Sequence, residues 1–143
     1  MLSPSTCLRD LKNLGVKFFT GVPDSLLKDF CECVTDRVAK SDHVIAVNEG
    51  GAVGIAIGKY IATEAIPLVY MQNSGLGNAV NPLMSLASKE IYSIPMLLMI
   101  GWRGEPSTKD EPQHIHQGRS TLPMLMAMDI PYVILSQEQA EAT

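Results

Sequence analysis

Four short polar clusters in this chain carry the residue types that catalysis uses. They are Gly21-Val22-Pro23-Asp24-Ser25, Asn48-Glu49-Gly50-Gly51, Gln72-Asn73-Ser74-Gly75-Leu76-Gly77-Asn78, and the stretch Gly101 to Gly118. The last holds Arg103, Lys109, Asp110, Glu111, His114 and His116. Glu49 is the sole acid between Val44 and Ile57. A first-turn carboxylate gains about 0.3–1 kcal/mol from the helix macrodipole, which is one sufficient reason for its presence. A second reason lies in the residues after it. Gly50, Gly51, Gly54 and Gly58 each cost a helix up to about 1 kcal/mol against alanine. Such residues suit the close approach of another backbone or a flat ligand. His114 is a candidate for acid–base work or substrate contact, with a solvated loop as the alternative.

Other chemistries lack their signatures. Gly75-Leu76-Gly77 begins a dinucleotide fingerprint, but Val80 stands where the third glycine belongs, and no lysine follows a glycine-rich loop. His114-x-His116 has no clear third ligand, so no metal is assigned to this chain. There is no G-x-S-x-G nucleophile elbow. Three cysteines, Cys7, Cys31 and Cys33, read as reduced thiols of a cytoplasmic protein. Eleven basic against 15 acidic residues give a formal charge of −4, and no basic tract offers itself to nucleic acid. The apolar run Pro95 to Gly101 is far too short to cross a bilayer. No signal peptide, lipid anchor or membrane partner is expected.

The elements that must position these clusters alternate. Ser3-Pro4 opens a helix bearing Leu8, Leu11 and Leu14. Strands are expected at Val16–Thr20, Val44–Val47, Leu68–Met71, Met96–Ile100 and Tyr132–Leu135. Helices are expected after Asp24 or Ser25, over Glu49–Thr63, around Leu83–Ala87 and over Leu122–Met128, with Gly101 to Gly118 as a long loop. Continuous apolar strands between helices imply an α/β fold, a doubly wound, mostly parallel sheet of five to six strands with helices on both faces. In such sheets ligands bind beyond the carboxyl ends of the strands. All four clusters follow strands. With 143 residues and 46% apolar composition, the chain suffices for one domain.

The four clusters, in this order, resemble the pyrimidine-binding (PYR) domain of thiamine-diphosphate-dependent 2-oxoacid decarboxylases. The fourth carries the resemblance through Asp110-Glu111-Pro112-Gln113-His114, and the likeness runs from Ser3 to Leu135. Within the family the match is to phosphonopyruvate decarboxylases, with the sulfopyruvate decarboxylase alpha subunit near them. The resemblance implies that Glu49 hydrogen-bonds the N1′ atom of the cofactor's aminopyrimidine and so helps to activate it. Glu49, His114 and Asp24 are then the expected catalytic residues. Glu49, Asn73, Ser74, Gly75 and Gly77 are expected at the cofactor, and Asp24, Ser25, Gln72, Asn73 and His114 at a small 2-oxoacid substrate. Arg103, Lys109 and Arg119 are cations available to a phosphonate or sulfonate. The implied reaction converts 3-phosphonopyruvate to phosphonoacetaldehyde and carbon dioxide. The alternatives are sulfopyruvate to sulfoacetaldehyde, or a PYR-like module without activity.

Members of the family hold the diphosphate through magnesium on a second domain bearing a Gly-Asp-Gly segment. Residues 1–143 read as a PYR domain throughout and contain no Gly-Asp-Gly. The resemblance therefore implies a diphosphate-binding domain or beta-type subunit as partner, and a homo-oligomer, at minimum a dimer. A helix begun at Ser136 fits the expectation that the functional unit is larger than this chain.

Overall fold

A computed structural model describes residues 3–135. Helix α1 (Pro4–Asn13) leads into strand β1 (Val16–Gly21), then α2 (Lys28–Arg37), β2 (His43–Ile45), α3 (Glu49–Thr63) and β3 (Ile66–Gln72). A 3-10 turn at Asn73–Gly75 passes into α4 (Leu76–Pro82) and a π turn at Leu83–Ala87. Strand β4 (Leu97–Gly101) and helix α5 (Pro112–Ala127) follow. The sheet order is β2-β1-β3-β4, and every neighbouring pair is parallel. All four carboxyl ends therefore open at one edge. The order reverses between β1 and β3, the switch point at which α/β sheets bind ligands.

Strand β3 shows why both faces are covered. Its side chains alternate: Leu68 and Tyr70 join Leu8, Phe30 and Val34 on one side. Val69 and Met71 join Val53, Ile57, Leu76 and Leu125 on the other. Helices α1 and α2 thus cover one face, and α3, α4 and α5 cover the other. A strand buried on both sides reads as a continuous apolar run, as Leu68 to Met71 does.

The architecture is the expected one, with four strands among the described residues. The expected fifth strand, Tyr132–Leu135, is irregular, with Val133 82% and Leu135 71% exposed. Its β-branched composition favours a strand only where a neighbour supplies ladder partners and burial. Strand β2 is shorter than expected, and Val47 is 96% exposed. The expected long loop ends early because α5 begins at Pro112, whose fixed φ and missing N–H suit the first helical position. His114 and His116 therefore lie in a helix. The second helix starts at Lys28 rather than beside Asp24. The helix expected from Ser136 lies outside the described residues. No described helix is long and apolar enough to cross a membrane, and all three cysteines are free thiols.

Candidate functional site

Glu49 is the first residue of α3, and Asn48 caps that helix by accepting from Gly51 N–H at 2.7 Å. Such a cap contributes about 1 kcal/mol and fixes the direction in which the chain enters the helix. The Glu49 side chain lies across Gly75: a Cβ on residue 75 would stand 2.3 Å from its Cγ and 2.6 Å from its Oε1. Asn78 Nδ2 donates to Glu49 Oε2 at 2.8 Å. Among the described residues Oε1 accepts no hydrogen bond, and the carboxylate is half-buried. Gly50 fits equally closely, since a Cβ there would lie 2.6 Å from the Asn78 carbonyl. The turn after β3, the start of α4 and the start of α3 are thus pressed together around one carboxylate with a free oxygen.

The loop after β1 builds the second part. Asp24 is 7% exposed. Its Oδ2 accepts from Leu26 N–H at 3.0 Å and occupies the space that a side chain on Gly101 would need. Ser25 is exposed and its Oγ accepts from Arg103 Nη1 at 3.0 Å. Arg103 Nε and Nη2 donate to Asp110 Oδ2 and Oδ1 at 2.8 and 2.5 Å. The backbone N–H groups of Gly104 and Glu111 donate to the same carboxylate, each at 2.8 Å. These hydrogen bonds, that of Arg103 first, hold the Asp110 carboxyl well below the usual carboxylate range. An open groove of about 610 Å³ runs past Pro23, Asp24, Ser25, Lys28 and Cys31; Glu49 is not among its walls.

Glycine contacts seat the loop after β4. Gly104 has φ +68, a conformation side chains disfavour, and a Cβ there would meet the His114 carbonyl at 2.0 Å. A Cβ on Gly118 would lie 1.7 Å from the Gly104 carbonyl. Trp102 Nε1 donates to Gly118 O at 2.8 Å. His114 is half-buried in the first turn of α5, and its backbone carbonyl lies against Gly104. His116 is exposed two residues on. Positions i and i+2 of a helix face apart, and no metal-holding cluster occurs among the described residues.

Asn73 departs from its expected position at the ligand. It is 1% exposed, and its Nδ2 donates to Arg103 O at 2.8 Å and to Thr121 Oγ1 at 2.9 Å. Its Oδ1 accepts from Arg103 N–H at 3.2 Å. The amide is used up inside the protein and braces the β3 and β4 exits against α5. Gln72 Nε2 donates to the exposed Ser74 Oγ at 2.8 Å. Gly77 faces open space, with no atom within 4 Å of where its Cβ would lie. Sequence reasoning left Asn78 and Asp110 without roles. Two signals bear on them: an amide one helical turn beyond a glycine turn, and a pair of opposite charges within one loop.

Residues 6–128 match the family described as thiamine pyrophosphate enzyme, N-terminal TPP binding domain. The chain belongs to this family. It is 36% identical over 136 residues to a phosphonopyruvate decarboxylase of Streptomyces hygroscopicus, covering 94% of this chain and 33% of that protein. It is 36% identical over 118 residues to the sulfopyruvate decarboxylase subunit alpha of Methanococcus maripaludis, covering 82% of this chain and 68% of that one. The benzoylformate decarboxylase structure from Polynucleobacter necessarius shares the fold, with TM-score 0.59, 23% identity, and coverage of 85% of this chain and 23% of the other. The TPP-domain chain thus spans about a third of the phosphonopyruvate decarboxylases it matches.

Proposed function

We propose that this chain is the aminopyrimidine-binding part of a thiamine-diphosphate-dependent 2-oxoacid decarboxylase. Its substrate is 3-phosphonopyruvate, with sulfopyruvate as the second candidate because both kinds of relative match at 36% identity. The observation that carries the proposal is Glu49: a carboxylate at a helix start, laid over Gly75, with one oxygen held by Asn78 and the other free. That donor set suits an aminopyrimidine, a flat ring with an edge nitrogen able to share a proton with a carboxylate. When bound, the cofactor supplies an electron sink for the loss of carbon dioxide. Glu49 holds the proton at its free Oε1, and Asn78 with the helix N-terminus keeps the carboxylate in place. Asp24 and Ser25 line the substrate end, and His114 is the proton donor or acceptor there. Gln72 and Ser74 border it at the β3 exit.

The described residues contain no metal-holding cluster. In this reading magnesium and the diphosphate belong to a separate domain or beta-type subunit, and the working unit is at least a dimer. The test is reconstitution. The chain is mixed with a diphosphate-domain partner, thiamine diphosphate and magnesium, and carbon dioxide release is measured from each oxoacid. Release from one or both is expected; release from neither in a complex that binds the cofactor overturns the proposal.

A further inference from the structure

Three cations stand in the segment after β4, and the structure separates them. Lys109 and Arg119 are exposed. The Arg103 side chain is 22% exposed, and that of its partner Asp110 is 14% exposed. A guanidinium has five N–H donors in a rigid fork. Nε and one N–H of Nη2 go to Asp110, and one N–H of Nη1 goes to Ser25. Among the described residues the second N–H on Nη1 and the second on Nη2 have no acceptor.

The fork is held from several sides. Asp110 accepts four donors and is fixed by the Gly104 and Glu111 backbone. Asn73 clamps the Arg103 backbone at both its N–H and its carbonyl. Ser25 joins the guanidinium to the loop whose Asp24 lies on Gly101 at the sheet's carboxyl edge. A held guanidinium with a donor left over on both Nη1 and Nη2 suits the several oxygens of a tetrahedral oxyanion, to which a lysine ammonium offers only a point charge.

We propose that Arg103 is the residue that receives the distal tetrahedral oxyanion of the substrate, phosphonate or sulfonate, and that Asp110 is the positioning residue that aims it. The assignment rests on the 2-oxoacid reading of the same site. It singles out one of three cations and gives Asp110 a task.

The test uses the assembled enzyme with cofactor and magnesium, as wild type, Arg103→Lys and Asp110→Asn. Turnover is measured with 3-phosphonopyruvate, sulfopyruvate and pyruvate, which has no distal anion. Arg103→Lys is expected to lower kcat/KM for the preferred tetrahedral-anion substrate at least tenfold more than for pyruvate. Asp110→Asn is expected to raise KM for that substrate more than it lowers kcat. The better of the two anionic substrates identifies the head group. Equal losses on all three oxoacids overturn the assignment of Arg103. A loss in kcat alone overturns that of Asp110. A second readout is independent of turnover: the Arg103 Nε–H resonance of 15N-arginine-labelled wild-type enzyme, titrated with phosphonoacetate, sulfoacetate or acetate. A saturable shift with one of the first two and none with acetate supports the assignment, even if neither oxoacid is decarboxylated and the proposed function fails. No shift in an active enzyme overturns the assignment and leaves the proposed function standing.

Discussion

Glu49 lies across Gly75 so closely that a methyl group on residue 75 would stand 2.3 Å from its Cγ. Gly75 has φ −71, an ordinary helical value, so its backbone admits alanine and only the contact forbids it. Gly75→Ala is expected to push the Glu49 side chain outward. The stability cost falls at the low end of the roughly 1–3 kcal/mol usual for overpacking, because a half-buried side chain can swing away. A misplacement of about 1 Å at a reacting group can cost about 100-fold in rate. Decarboxylation should therefore drop by about one to two orders of magnitude with a nearly unchanged melting temperature. A wild-type rate in this variant would show that the seat of Glu49 does not matter.

Glu49→Gln tests the acid itself. Glutamine retains an oxygen for the Asn78 donor, so the local packing survives while the ionisable group is lost. Activity of the reconstituted enzyme is expected to fall by about 10² to 10⁴, the range for removal of a general acid–base group. Asn78→Ala should cost less, about 1.5–3 kcal/mol, as for one hydrogen bond to a charged group. Cofactor-dependent turnover measured on both variants gives the order, and a larger loss in Asn78→Ala would reverse the assignment.

Asn73→Ala should act on the fold. The substitution leaves the Arg103 carbonyl without a partner, while the Arg103 N–H keeps Gly101 O and the Thr121 hydroxyl keeps Gln117 O. A buried polar group left unpaired costs about 1–3 kcal/mol, and a loss of that size is expected in urea unfolding. A midpoint within error of wild type would show that the Asn73 amide does not brace the two strand exits.

Two groups set the acid limb of stability, in separate windows. Asp110 is held well below the usual carboxylate range by its hydrogen bond to Arg103. The unfolded chain binds that proton first, so the contribution is full above a pH of about 4 and is lost progressively below it. Asp110→Asn should flatten this part of the profile. Burial pushes the His43 imidazole down from its ordinary value. Burial likewise pushes the Tyr70 phenol up, so its hydroxyl stays protonated; it is hydrogen-bonded to His43 Nε2 at 2.8 Å. Stability should fall as pH drops below about 6.5, where the unfolded histidine takes up its proton. His43→Asn should remove that step. Unfolding midpoints in urea from pH 8 to pH 2 check both, and a wild-type profile flat through pH 6 would contradict the histidine part.

The sequence revealed most where pattern and burial agree. Helix α3 runs from Glu49 to Thr63 as expected, and the buried apolar run of β3 marks a central strand. It misled where tertiary contacts override local preference. Gly118 closed the expected loop, yet α5 passes through it, because Gly118 is needed for the approach of the Gly104 carbonyl. Tyr132–Leu135 has strand composition and, among the described residues, no strand beside it. For the proposed site, the placement of Glu49 at a helix start was legible from the strand before it and the glycine-rich run after it, whereas its proposed role came from the resemblance. The inward turn of Asn73 was not legible, since an amide in a glycine-bearing turn reads the same whether it faces a ligand or a buried backbone. Nor was the Arg103–Asp110 pair, whose seven-residue spacing in a loop has no fixed geometry until Gly104 folds it back.

The three-residue turn Asn73–Gly75 touches both ends of the proposed site. Through the Asn73 amide it fixes Arg103, and through the bare backbone of Gly75 it seats Glu49. The separation of acid and cation is therefore set by one rigid corner rather than by two independent loops. Such a corner behaves as a gauge. In the proposed site, a substrate one carbon longer or shorter between its carbonyl and its distal anion, its carbonyl set by the cofactor that Glu49 seats, would carry that anion past Arg103 or leave it short.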